Sequence, residues 1–359
     1  MKITGFRHRA VSVPVTIPVV SSVRHSKEIV FVLLDVMTDE GLNGIAYAQA
    51  FNPQGANAVR SMLQLLEKVI VGKHPAHREP IWHQMWDSIK LFGQQGLAAF
   101  ACSMVDIALW DIAAKSAQIP VYRMLGGTPD PIEAYASDGC WLVSPLEAAR
   151  QAEAFVESGF SALKMRLGRK SGEEDVRALS EIRRAVGDHI EVMGDVNQGW
   201  TVDHAVDMAQ KLEPCRLKWL EEPIEAEDLK GYERLKQSVN IPVAAGENLY
   251  AIRSTRRFLE LDALSVYTPD LQRIGGVSGW LRLYALFELN NARYSIHLFP
   301  EFAVHLLAAA KKPDKLEWMS WAGVLFREPL KCANGKTAPP ERPGFGMEWD
   351  EKAITKYAI

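Results

Sequence analysis

Seven short apolar runs between residues 162 and 318 each end in residue types that can do chemistry. LKMRL carries Lys164 and Arg166, VMGDVN carries Asp195 and Asn197, KWLEEP carries Glu221, and AAGEN carries Glu247. VYTPD, YSIHLF and KLEW then supply Asp270, His297 and Glu317. Asp195, Glu221 and Glu247 are evenly spaced, 26 residues apart. If the three converge, their negative charges are costly unless a cation neutralises them. They offer only hard oxygen ligands, which suits Mg²⁺ with room left for water and substrate. Asp270 beside His297 would fix the tautomer of the imidazole and raise its basicity, making a general base. Lys164 and Arg166, two residues apart, would point the same way. Glu317, if protonated, could donate to a carboxylate. Together these groups suit removal of a proton α to a carboxylate, with the developing enediolate charge stabilised by Mg²⁺, Lys164 and Glu317.

The elements that must position these residues follow from the spacing. A step near 26 residues is about what one strand, one crossover helix and two short loops consume. Each run is short and apolar, as a strand buried on both faces should be. Helical patterns lie between them at Glu173–Val186, Val202–Leu212 and Val277–Leu289. Repeated β-then-α units imply parallel strands, and polar residues at successive strand ends mark the active face of a (β/α)₈ barrel. Simpler readings exist for single residues: one acid can face solvent, His297 can be structural, and Glu317 can pair with Lys315 or Arg327. Three acids in register on consecutive strands favour the metal site. Glu301 and His305 look superficially like further ligands, but their spacing reads as an ordinary helix pair.

The 359 residues suffice for a barrel of about 250 residues and an additional domain. Residues 1–50 read as strands, with Lys2–Val15 and Ile29–Val36 flanking a polar loop at 20–27 that contains Ser21, Ser22, Arg24 and His25. Residues 54–118 read as helical, best at Leu97–Lys115. Pro129 and Pro131 mark a boundary. The expected organisation is therefore an N-terminal α+β capping domain (1–130), a TIM-type (β/α)₈ barrel (131–320) and a Pro/Gly-rich return segment (321–359) packing on the cap.

A net charge of −3 with no basic tract argues against nucleic acid or an anionic membrane as partner. Four scattered cysteines without CxxC spacing read as reduced thiols of a cytoplasmic protein. Lys2, Arg7 and Arg9 before the apolar run 10–20 faintly echo a signal peptide. Pro14 and Pro18 interrupt that run, however, and Val11, Val13 and Val15 alternate as in a strand.

Several motifs carry a family resemblance over the whole chain. ACSMVDIALWDIAAK (101–115), the segment from Val192 through Asp195 and Asn197 to Leu220-Glu221-Glu222-Pro223, PDLQRIGGVSGW (269–280), HLF (297–299) and PGFGMEWDE (343–351) resemble the mandelate racemase subgroup of the enolase superfamily. Met104 departs from the first signature, where a small residue is usual. The resemblance implies Mg²⁺ on Asp195, Glu221 and Glu247, His297 with Asp270 as a base, Lys164 on the carboxylate side and Glu317 as an acidic stabiliser. It also implies a capping loop over the substrate and a homo-oligomer, often an octamer.

Arg166 is the departure that matters. The racemase pattern has Lys-x-Lys there, the second Lys being the base on the opposite face. Arginine is essentially never deprotonated at neutral pH. A single base suffices for β-elimination, and a loop with Ser21, Ser22, Arg24 and His25 suits a polyhydroxy acid. The sequence therefore reads as an acid-sugar dehydratase giving a 2-keto-3-deoxy acid, with Asn197, Arg24 and His25 as candidate substrate contacts. A racemase or epimerase of a 2-hydroxy acid is the alternative within enzymes, and a catalytically silent sugar-acid-binding protein the alternative outside them.

Overall fold

In the computed structural model, which describes residues 1–359, the chain opens with an antiparallel sheet. Its strands β1 (Ile3–Val20), β2 (His25–Thr38) and β3 (Asn43–Gln49) lie in the order β1-β2-β3. The central strand β2 is buried from Ile29 to Val36. β1 runs further than its prolines suggest. It is an edge strand, so Pro14 and Pro18 need not donate to a neighbour, and a register irregularity between Pro14 and Val19 absorbs them. The expected loop at 20–27 shrinks accordingly to Ser21–Arg24.

Three helices follow, α1 (Pro53–Ile70), α2 (Arg78–Ser88) and α3 (Gly96–Ser116). The side chain of Asn52 caps α1 by accepting from Gly55 N, with Pro53 in the first turn. Ala56, Val59, Leu63, Leu66 and Ile70 form the buried stripe of α1. α3 is long and apolar enough to cross a membrane, yet it is buried on nearly every side as a core helix. Gly44 of β3 lies so close to the Ala108 carbonyl of α3 that a Cβ has no room there.

The barrel has eight parallel strands: β4 (Ile132–Ala136), β5 (Ala162–Arg166), β6 (Glu191–Asp195), β7 (Leu220–Glu221), β8 (Val243–Ala245), β9 (Val266–Tyr267), β10 (Arg293–Tyr294) and β11 (Leu316–Trp318). β11 pairs in parallel with β4, and Asp314 N donates to Tyr294 O on the β10 side, 2.8 Å away, so the ring closes. Ser144, Ser171, Thr201 and Asp228 cap the helices after four consecutive strands. Period-two alternation sorts each strand into an outward and an inward face. Tyr135, Ala162, Met193, Trp219, Ala244 and Val266 form a small buried cluster of their own inside the barrel. Two residues beyond four of them stand Ser137, Lys164, Asp195 and Glu221. The packed interior is the floor of the site, and the next inward layer is chemistry.

The tail contains more structure than its composition suggests. A short strand β12 (Lys336–Thr337) pairs antiparallel with β4, and a helix spans Glu351–Tyr357, capped by Asp350. Ala358 bridges to Val11, and Ile359 N donates to Ala10 O (3.1 Å), which ties the chain end to β1.

Candidate active site

Strand register puts the sequence candidates next to one another. Arg166 is level with Asp195 and Asp195 with Glu221, while Asp270 and His297 form a parallel bridge. Ligand oxygens of Asp195, Glu221 and Glu247 all lie within 4.8 Å of one another, and all three residues are buried. Asp195 Oδ2 and Glu221 Oε1 accept no well-directed hydrogen bond. Buried carboxylate oxygens left this way need a cation. The Lys164 ammonium lies 3.3 Å from both Asp195 Oδ2 and Glu221 Oε2, near each acid but saturating neither. Burial, with Asp195, Glu317 and Glu247 nearby, outweighs Lys164 and pushes the Glu221 carboxyl up to about 7. Glu222 is also buried and is pushed up by burial and by Glu247; it accepts from Asn248 (2.7 Å). So crowded an acid cluster fits a divalent cation.

At the Glu247 side of this cluster stands His297. Its Nδ1 is 2.8 Å from Asp270 Oδ2 and its Nε2 is 3.3 Å from Glu247 Oε2. Asp270 is itself held by Gln272 N (2.8 Å) and by Arg273 (3.4 Å). Burial pulls the imidazole down, but Glu247, Asp270 and Glu317 outweigh it and leave its pKa raised to about 9. Glu247 is also a candidate metal ligand, so one carboxylate that stabilises the imidazolium is one a cation would neutralise.

Glu317 could donate only if protonated, and its surroundings favour the ionised form. Three donors converge on its carboxylate: Lys164 Nζ (2.7 Å), Ser137 Oγ (2.7 Å) and the Leu298 N–H (2.9 Å). Burial opposes ionisation, yet Lys164 and His297 hold the group well below the usual carboxylate range. Glu317 therefore accepts, and it fixes Lys164. Lys164 is buried too, but Glu221, Glu317, Tyr135 and Asp195 keep its pKa well above the ordinary lysine value.

Arg166 lies on the other side of the site. Its guanidinium stacks over Trp141 (4.4 Å to the ring centre), with Nε 3.5 Å from Asp195 Oδ2 and both terminal nitrogens 3.4 Å from Ser137 Oγ. Trp141 stacks in turn on Trp321, whose indole N–H donates to Asp138 (2.8 Å). The pocket above these groups is also lined by Ser21, Arg24, Asn197, Glu247 and His297. Ser22 Oγ donates to Val196 O (2.9 Å), which pins the cap loop to the loop after β6. His25 is not brought to the site. It is exposed as the first residue of β2, because pairing with Val20 turns it away from the pocket.

Ser137, Trp141, Trp321 and Arg273 are absent from the sequence candidates. Ser137 was findable by the rule that found the others, since it ends the first barrel strand. The two tryptophans carry no such signal. Glu301 and His305 do not pair with each other. Glu301 accepts from Tyr47 of β3, and His305 accepts from Tyr122 N and faces Phe345 O, each at 3.2 Å. They fasten the barrel helix Pro300–Leu307 to the cap and the tail. A groove of about 600 Å³ at the other end of β8–β10 is lined by Asn240 and Asn290, with Lys236 bonded to Asp262; no reactive groups converge there.

Comparison with known proteins covers nearly the whole chain. Residues 3–126 match the mandelate racemase / muconate lactonizing enzyme N-terminal domain, and residues 147–353 match the enolase C-terminal domain-like family. A 3,6-anhydro-alpha-L-galactonate cycloisomerase of Streptomyces coelicolor is 32% identical over 93% of this chain and 94% of its own. The L-talarate/galactarate dehydratase of Salmonella typhimurium is 29% identical over 91% and 82%. Among solved structures, an enolase from an alphaproteobacterium with bound magnesium superposes with a TM-score of 0.96 at 31% identity, covering 100% of this chain and 99% of that one.

Proposed function

The chain belongs to the mandelate racemase and muconate lactonizing enzyme family of the enolase superfamily, and from that premise we propose that it dehydrates a sugar acid to a 2-keto-3-deoxy acid. The observation that carries this reading is the asymmetry of the site: an Asp-oriented histidine on one side and an arginine on the other. Asp270 holds Nδ1 of His297, so Nε2 is the atom that takes the α-proton. The electrons left at Cα delocalise onto the substrate carboxylate, where the Lys164 ammonium meets the new charge, its position fixed by Glu317 and Ser137. The imidazolium then returns its proton to the β-hydroxyl. The Cβ–O bond breaks, water leaves, and the enol product tautomerises to the keto acid. Asp195, Glu221 and Glu247 would hold Mg²⁺, which when bound would supply electrostatic stabilisation of the substrate carboxylate.

Racemisation needs a second base on the opposite face. Arg166, stacked on Trp141 and facing Asp195, serves better as a fixed cation that orients substrate. Arg24 and Asn197 complete the substrate contacts from the cap loop and the loop after β6. Proton abstraction is common to dehydration and cycloisomerisation; the two differ in whether the leaving oxygen is a free hydroxyl or part of a ring. We further propose a homo-oligomer, and a cytoplasmic location in which the four free cysteines stay reduced. The test is a screen of mono- and dicarboxylic sugar acids with Mg²⁺, reading 2-keto-acid formation and loss of one water by mass. Equal interconversion of α-epimers without water loss would replace the dehydratase with an epimerase.

A further inference from the structure

Three guanidinium groups line the substrate pocket, and two of them have acceptors inside the protein. Arg166 faces Asp195 and Ser137; Arg273 donates to the Glu247 carbonyl and faces Asp270. Arg24 has none. It sits at the end of the tight loop between β1 and β2, closed by Ser21 N donating to Arg24 O (2.8 Å). Its side chain is half-buried, lies over the ring of Phe51 (5.6 Å), and leaves Nη2 buried without a partner. Burial with no carboxylate nearby pulls its pKa down from the arginine value. The indole N–H of Trp141, in the same cavity, is also buried without an acceptor. A charged donor and a neutral donor stranded in one pocket are costly in the free protein, and a ligand rich in oxygen relieves both.

The charge of that ligand follows from where Arg24 sits. The reacting carboxylate belongs at the barrel end, beside Lys164 and the acid cluster. Arg24 is on the cap, and no protein carboxylate balances it there. The loop that carries Arg24 is tied to the barrel by Ser22 Oγ, which donates to Val196 O, and by Leu142 N, which donates to Val20 O (2.9 Å). We propose that Arg24 receives a second carboxylate at the far end of the substrate, so that the sugar acid is a dicarboxylate, an aldaric rather than an aldonic acid. This rests on the sugar-acid dehydratase reading and narrows it. A planar fork matches a carboxylate with two parallel hydrogen bonds, whereas a terminal hydroxymethyl group offers it one neutral acceptor.

The experiment compares an aldaric acid with the aldonic acid of the same configuration in the Mg²⁺-loaded enzyme, for wild type, Arg24→Met and Arg24→Lys. Wild type is expected to favour the diacid by about 10- to 100-fold in kcat/KM. Arg24→Met should collapse that ratio to near one, with the loss falling on KM, and Arg24→Lys should restore part of it. A wild type that turns over both acids equally well would overturn the assignment. So would an Arg24→Met variant that lowers both by the same factor through kcat, since that is the mark of a general loop defect. Either result leaves the dehydratase reading standing. Failure of every acid to form a 2-keto acid with Mg²⁺ removes that reading and this one together.

Discussion

Nδ1 of His297 lies 2.8 Å from Oδ2 of Asp270, and the backbones of the two residues are joined by a parallel bridge at the ends of β9 and β10. His297 N also donates to Pro269 O at 3.0 Å. Main chain and side chain thus fix the same ring, and Nε2 is left on the pocket side, beside Glu247 Oε2 at 3.3 Å. Asp270→Asn preserves the shape of this contact but lets the amide favour the wrong tautomer. Its kcat should fall by about 10²- to 10⁴-fold with KM nearly unchanged. Steady-state rates of 2-keto-acid formation measure this, and a loss below about fivefold would mean that the proton goes elsewhere.

Glu221→Gln tests the metal assignment. Glu221 is buried among Asp195, Glu247 and Lys164, so losing one charge leaves a weaker cation site and relieves crowding in the free protein. Turnover should be abolished and Mg²⁺ affinity by calorimetry lowered, while thermal stability without Mg²⁺ holds or rises. Full activity of the wild type after exhaustive chelation would rule out the metal role.

The inner layer of the barrel was legible because strand period and strand-end position are sequence properties. Lys164, Asp195 and Glu221 stand one inward step above the cluster that includes Ala162, Met193 and Trp219, and that offset repeats. What stayed hidden depended on tertiary partners. The ionisation of Glu317 follows from Lys164, Ser137 and Leu298 N, which are 153, 180 and 19 residues away in the chain. The exposure of His25 follows from β1 continuing past two prolines, which only an edge position allows. Trp141 and Trp321 meet between the loops that follow the paired strands β4 and β11, where there is no periodic signal.

The helix Pro300–Leu307 carries two buried titratable groups whose effects on stability oppose each other. Burial lowers His305 from 6.5 to about 3, so its contribution is present above pH 6.5 and is lost as pH falls towards 3. Burial raises Glu301 from 4.5 to about 7, against the Tyr47 hydrogen bond, so its contribution is present below pH 4.5 and is lost as pH rises through 7. Between pH 4.5 and 6.5 the two slopes, each roughly 1 kcal/mol per pH unit, should largely cancel. Denaturant unfolding at fixed Mg²⁺ should therefore show His305→Gln losing stability, relative to wild type, as pH rises through this window. Glu301→Gln should gain over the same range. Parallel pH profiles for the two variants would refute both assignments.

Arg166 decides between elimination and racemisation. Its guanidinium is fixed by the Trp141 ring at 4.4 Å, by Ser137 Oγ at 3.4 Å and by Asp195 at 3.5 Å, contacts that suit a planar fork. Arg166→Lys keeps the charge but loses the fork and the stacking, so kcat/KM for dehydration should fall by about 1–3 kcal/mol, or roughly 5- to 150-fold. The same change restores the Lys-x-Lys pattern with an amine that can be deprotonated when desolvated. The distinction is sharpest where His297 is removed. His297→Asn alone should neither form product nor exchange the α-proton with D₂O, because no base remains on either face. Adding Arg166→Lys to it should bring back exchange, without dehydration, at the epimer whose α-proton faces residue 166. Exchange already present in His297→Asn would show that a base stands on the Arg166 side in the wild type, and the one-base elimination would have to be abandoned.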